Sequence, residues 1–393
     1  MAAHPAMAHA QPQLTLGTPV IVSQAPSHVK DWGPWQFPAI ERLGDGRLHV
    51  SYHIEADSAT AYGLPVGHAV SADNGQTWQP VNDVPVDGGL LLPNGDRLRT
   101  VVLRSRPVAE LTLPEPLGVQ HGTYGSTYKI YTLDSLPPEL RDGWRFNRRR
   151  AGATQWVDET ATVNIPGEIR YSDNSVFTFA RMRQMKVAPD GSLWGFVYIW
   201  RAPDGVFRPK WLPVFLRSTD HGHTWDFLSE IAFYGDPAVD PVWDKRDGFA
   251  EPNVTIMPDG SLFALLRTTD GLGIGPLYSC ASHDNGKTWS TPRVFDSLGV
   301  KPVMLTLKTG VTLAAYGRPG VYLRATSHPA GAIWGERVTV IAPGPVSKDS
   351  CSYCDLLALT DDSAMLAYSS FTWPNAQGQP CKTILVRTVT VAV

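Results

Sequence analysis

The chain has 393 residues, 43% hydrophobic and 18% charged, with a formal net charge of −3. That balance is ordinary for a globular protein, and without a basic excess it argues against a nucleic-acid partner. No apolar run approaches the ~18 residues of a membrane span, so no membrane partner is expected either.

Residues Met1–Gln13 are rich in Ala and His. Ala8-His9-Ala10 has the small-residue spacing of a cleavage site, but the apolar core of a signal peptide is missing. The chain as written reads as cytoplasmic, with a mature secreted or periplasmic form as the alternative. Residues 1–30 read as an N-terminal extension with a first strand, and 31–393 as one domain.

From there two punctuation patterns alternate. The first is a turn followed by an alternating apolar strand. Its copies are Gly44-Asp45-Gly46, Pro93-Asn94-Gly95, Pro189-Asp190-Gly191, Pro258-Asp259-Gly260, Lys308-Thr309-Gly310 and Asp361-Asp362-Ser363. Asn-Gly and Asp-Gly between apolar runs are strong hairpin signals. The second pattern is an octet, S-x-D-x-G-x-T-W. It occurs at Ser71–Trp78, Ser218–Trp225 and Ser282–Trp289, with a worn copy at Ser327–Trp334. Its Asp can bond the backbone of its own turn, its Gly suits positive φ, and its Trp forms an apolar plug. The octet therefore speaks for architecture and not for chemistry.

Six such hairpins at a near-regular period predict an all-β chain, a six-bladed β-propeller of four-stranded antiparallel blades. The spacing breaks once, between Gly95 and Gly191, where a seventh blade is the alternative. Residues around 105–170 are preferred as an insertion, and their Pro, Gly and Arg content, including Arg145–Arg150, reads as long loops on one face. Cys280, Cys351, Cys354 and Cys381 include one C-x-x-C, but no second ligand pair accompanies it. They read as buried thiols, and no metal or cofactor is expected.

The octets resemble the Asp boxes, or BNR repeats, of the sialidase (neuraminidase) superfamily. The resemblance spans roughly Asp31 to Val389 and implies a carbohydrate substrate. It also implies site residues. Glu251-Pro-Asn-Val-Thr-Ile-Met-Pro-Asp259-Gly260-Ser-Leu-Phe-Ala-Leu-Leu-Arg267 is similar to the family's Glu, turn and strand-end Arg. Arg318, ahead of the worn octet, fits a second clamp arginine, with Arg324 as the weaker candidate. Tyr353 fits the nucleophile, Glu251 its partner, and Asp57, with Glu55 as rival, the acid/base of the loop before the first octet.

One position departs from the family. Where sialidases hold their first clamp arginine, this chain has Gln36 within Trp35-Gln36-Phe37-Pro38. An arginine there would add a charge-assisted contact of about 1.5–3 kcal/mol to a carboxylate. Gln36 is still expected to face the pocket beside Arg267 and Arg318. His53 and Trp35 complete the expected binding set; Trp32, Trp194, Trp200 and Trp211 could also stack on sugar faces, though core packing is the default for each. The implied activity is an exo-acting glycoside hydrolase releasing a terminal acidic sugar. Alternatives are another carbohydrate-active propeller enzyme, such as a rhamnosidase or a lyase acting near a uronic acid, or a non-catalytic carbohydrate-binding propeller.

Overall fold

A computed structural model describes residues 11–392 except 86, 142, 143 and 270. Ala8-His9-Ala10 lies outside the described residues. Apart from short 3-10 turns and one α-helical turn, Pro138–Arg141, the regular structure is all strand.

Six sheets share one antiparallel plan. Sheet I runs Gln36–Arg42, Leu48–His53, Gly67–Ser71, Gln79–Val81. Sheet II is Leu90–Leu91, Arg97–Thr100, Arg145–Arg149, Val157–Thr160. Sheet III is Gln184–Val187, Leu193–Ile199, Leu212–Ser218, Thr224–Glu230, with Thr162–Asn164 added in parallel at its edge. Sheet IV is Phe249–Ile256, Leu262–Thr268, Leu277–Ser282, Arg293–Asp296. Sheet V is Val300–Thr306, Thr312–Gly317, Val321–Thr326, Val338–Ile341. Sheet VI joins Cys354–Ala358, Ser363–Pro374 and Pro380–Ala392 to the N-terminal strands Gln13–Leu16 and Val20–Gln24. The two chain ends thus close one sheet, with Leu14 opposite Val391.

The two punctuation patterns fall at two fixed places in this plan. The Asp-Gly or Asn-Gly turns join first to second strands, and the octets join third to fourth strands. In an antiparallel sheet both turns lie at the same end. In the first octet, Ser71 Oγ accepts from Gly75 N at 2.8 Å and donates to Asp73 Oδ1 at 2.7 Å. Asp73 in turn accepts from Thr77 N and Oγ1 at 2.9 and 2.6 Å. Trp78 Nε1 closes back on Gly75 O at 3.2 Å. The worn copy lacks the Asp, yet Trp334 Nε1 still reaches Gly331 O at 2.8 Å, and His328 Nδ1 accepts from Ala330 N.

The cores sit between consecutive sheets, as face-to-face packing of apolar strand surfaces requires. Leu98 and Phe146 of sheet II meet Leu193 and Trp225 of sheet III. Phe196 of III meets Val254 and Leu266 of IV. Leu265 of IV meets Ala314 and Tyr316 of V. Leu313 and Leu323 of V meet Leu356 and Leu366 of VI, and Met365 and Ile384 of VI meet Val50 and Ile40 of I. Each fully buried Leu or Ile contributes roughly 1.5–3 kcal/mol. Sheets I and II join through polar contacts, with Gly89 N donating to Glu41 Oε2 at 2.7 Å.

The segment around 105–170 corrects one expectation. It is not a set of loops. Arg106–Pro107, Gly118–His121, Thr127–Thr132, Ile169–Asp173 and Val176–Thr178 form a seventh, five-stranded sheet. It has its own small core of Tyr131, Leu136, Leu140 and Phe177, and it packs on sheet III through Ile130, Ile169 and Trp200. The Arg145–Arg150 run is also strand, the third of sheet II, with Arg148 fully buried against Asp96 and Glu159. Gly and Pro in this stretch mark the turns between short strands.

Candidate active site

The ends of the sheets opposite the octets converge on a cavity of about 690 Å³. The first strands of sheets I, IV and V each enter it through a register shift, between Gln36 and Ala39, Ala250 and Asn253, and Val300 and Val303. Within these bulges Phe37, Glu251 and Lys301 have φ of 56°, 46° and 40°. Sheet VI is preceded by Ser352 at φ 63°. Left-handed backbone at a non-glycine residue stores strain and re-aims the side chains around it. Phe37, Glu251, Lys301 and Tyr353 all line the cavity.

Its floor is a hydrogen-bonded cluster drawn from three sheets. The Tyr353 hydroxyl donates to Glu251 Oε1. Arg267 Nη1 donates to Glu251 Oε2 and to Tyr353 Oη, both at 2.8 Å. Lys301 N adds a bond to Glu251 Oε2 at 3.1 Å. Burial pushes the Glu251 carboxyl up, but the Arg267 charge and the Tyr353 hydroxyl outweigh it and leave it below its ordinary value. Burial, and then the Glu251 charge, drive the Tyr353 phenol well above its ordinary value. At neutral pH the pair is therefore a carboxylate facing a protonated phenol.

Asp57 and His53 line the same cavity. Trp32 Nε1 donates to Asp57 Oδ2 at 2.9 Å and fixes that carboxylate on its loop. Phe37 bridges the two halves, edge-on to Tyr353 at 4.8 Å and to His53 at 4.9 Å. Burial holds His53 below its ordinary pKa. Glu55, the rival acid, is not among the lining side chains.

One member of the expected binding set, Gln36, does not face the cavity. Gln36 has no exposed surface; its amide oxygen, turned to the donors around it, accepts from Lys382 Nζ and Gly33 N at 3.0 Å each. Positive φ at Trp35 and Phe37, on either side of it, turns Phe37 into the cavity in its place. Trp35 packs in the core between sheets VI and I, with Nε1 on Ser23 Oγ at 2.9 Å. Trp194 and Trp200 are core as well. Arg318 donates to Cys351 O at 2.9 Å and lies 5.7 Å from the Tyr353 ring, so both it and Arg267 stand beside that tyrosine.

Sequence reasoning missed several contributors, Lys301 among them. Tyr124, at a hairpin tip of the inserted sheet, accepts from Arg267 Nη2 at 3.1 Å, so the insertion reaches the site. Arg181, Arg183 and Tyr198 line the cavity wall. A basic pair in i, i+2 alternation just before a strand was the available signal for the arginines; Tyr124 left none.

No protein-family model matches the sequence, and no curated protein is similar to it. Solved structures are similar in shape. A Dyadobacter fermentans protein described as of unknown function aligns with a TM-score of 0.65 at 18% identity, over 96% of this chain and 99% of that one. The α-L-arabinanase of Penicillium chrysogenum, solved with arabinobiose, aligns at 0.50 and 15%, over 95% and 98%. The fold is a β-propeller. The NanB sialidase of Streptococcus pneumoniae aligns with this propeller at 0.50 and 13%, over 95% of this chain and 70% of that one. At these identities the likeness concerns the fold, and the site of this propeller stands on its own residues. Its four cysteines are free and buried.

Proposed function

We propose that this propeller is a glycoside hydrolase of sialidase type, releasing a terminal acidic sugar from a glycan. The observation that carries the reading is the Tyr353 hydroxyl bonded to both Glu251 and Arg267 on the floor of a sugar-sized cavity. A phenol is a poor nucleophile unless a base takes its proton as it attacks. Glu251, held ionised, is that base, and Arg267 steadies both partners as charge moves from one to the other. Tyr353 Oη attacks the anomeric carbon, forming a glycosyl-tyrosine bond, while Asp57 protonates the departing glycosidic oxygen. Asp57 then draws a proton from water, whose oxygen attacks the anomeric carbon, and the departing Tyr353 oxygen takes its proton back from Glu251. A neutral nucleophile suits an anomeric centre that carries its own negative group.

Gln36 in place of an arginine, turned away from the cavity, favours a second reading, a propeller glycosidase acting on a sugar other than sialic acid. A panel of aryl sialosides, uronides, rhamnosides and arabinosides tests both. Turnover of one member by the parent and its loss in Tyr353→Phe supports the hydrolase. Undiminished turnover in Tyr353→Phe, or turnover of none, overturns it.

A further inference from the structure

Arg181 and Arg183 stand out among the charges of the cavity. Both line it, and so does Met182 between them, which is buried and also packs in the core of sheets II and III. Each guanidinium lies over a tyrosine ring, Arg181 at 4.8 Å from Tyr62 and Arg183 at 4.7 Å from Tyr198. Among the described residues neither makes an ion pair with a carboxylate.

The acids that share the cavity are hydrogen-bonded to other partners, although the Glu251 charge still acts on Arg183. Glu251 is bound to Arg267 and Tyr353, and Asp57 takes the Trp32 N–H. Asp355 accepts from the backbone of Ile40 and Leu356 at 2.9 and 3.0 Å. Lys186 and Lys301 line the same space and add to the positive side. Burial, and then the neighbouring charge of Arg183, bring Arg181 down to about 10, which leaves it charged at neutral pH. Arg181 is partly buried and Arg183 exposed, and two like charges side by side draw an anion that can join them. The ring faces steady the cations through their quadrupoles while leaving the guanidinium edges able to donate.

We propose that Arg181 and Arg183 form an oxyanion subsite that holds the acidic group of the sugar, a carboxylate or a sulfate ester. It rests on the reading of this cavity as the hydrolase site, and it moves recognition of the acid away from the positions of Gln36, Arg267 and Arg318. The planar forks suit the paired oxygens of either group. Rings of Tyr62 and Tyr198 beside them offer apolar faces for the sugar itself.

Calorimetric titration with glucuronic acid and with galactose 6-sulfate, against glucose and galactose, tests the subsite. Its variants are Arg181→Gln, Arg183→Gln and the double substitution, with Tm followed to verify folding. Each single variant should weaken binding of the anionic sugar about tenfold or more, and the double variant should abolish it. Binding should also weaken with added salt. A response to the uronate alone identifies a carboxylate subsite, and to the sulfated sugar alone a sulfate subsite. Failure of both anions to bind the parent at millimolar concentration, or unchanged binding in a folded double variant, overturns the proposal. Anion binding that needs both arginines, in a protein without hydrolytic activity, would remove the hydrolase reading and leave the subsite standing. Hydrolysis that is equally fast in the double variant would do the reverse.

Discussion

Each end of a sheet carries carboxylates, and the two ends use them differently. At the octet end, Asp73 and Asp284 are half-buried and bond only within their own eight residues. The Thr77 hydroxyl and amide, then the Ser71 hydroxyl, hold Asp73 at about 2; Thr288 and Ser282 do the same for Asp284. At the cavity end, Glu251 draws its partners from 16, 50 and 102 residues away, on three different sheets. A local carboxylate shapes a turn. A carboxylate with distant partners ties sheets IV, V and VI to one point and has its protonation set by them, which is the condition for acid–base work.

The largest test of that contrast is Tyr353→Phe. Hydrolysis of a substrate found by the aryl-glycoside panel should fall by about a thousandfold or more, while sugar binding and Tm stay near those of the parent. Retained turnover would remove the chemical meaning of the cavity end. Glu251→Gln comes next and should act on both activity and stability. It leaves Arg267 beside a neutral amide in a nearly buried setting, and breaking such a pair costs about 3–5 kcal/mol. Denaturant unfolding reads that loss; a stability equal to that of the parent would place Glu251 with the local carboxylates.

Asp57→Asn should be more selective. Loss of a general acid costs about 10²–10⁴-fold, and the loss should be larger for alkyl than for activated aryl leaving groups, which need less protonation. Equal losses would make Asp57 a structural partner of Trp32. The smallest effect is expected at the octet end. Asp73→Ala and Asp284→Ala should leave hydrolysis unchanged and lower Tm slightly. Their folded pKa lies below the unfolded value of ~3.9, so their contribution is present above about pH 4 and is lost as pH falls through about 2. Parent and variant Tm curves should therefore converge toward pH 2; a difference that persists there would mean that the octet stabilises by packing alone.

Much of the fold was legible for the same reason that the octets are robust. A Ser, an Asp, a Gly and a Trp within one turn satisfy each other wherever that turn occurs, so the pattern survives as sequence. The inserted sheet was misread because its strands span only two to six residues and the third and fourth strands of sheet II are threaded through it. Glu251 and Tyr353 were found through a resemblance. Gln36 and Trp35 were placed through the family frame Trp35-Gln36-Phe37-Pro38, and two positive-φ residues and a register shift turn that segment differently.

The sequence by itself determined that the chain is built from repeated hairpins, where their turns fall, and which residues complete each turn, because those bonds close within a few residues. Only the tertiary structure decided which side chains share the cavity. Backbone rotation at Phe37, Glu251 and Lys301 sets where those side chains point, and ring closure brings Tyr353, Arg267, Tyr124 and the Arg181–Arg183 wall to one place. Proximity across that ring depends on the packing of every sheet on the next, and no local run of residues encodes it.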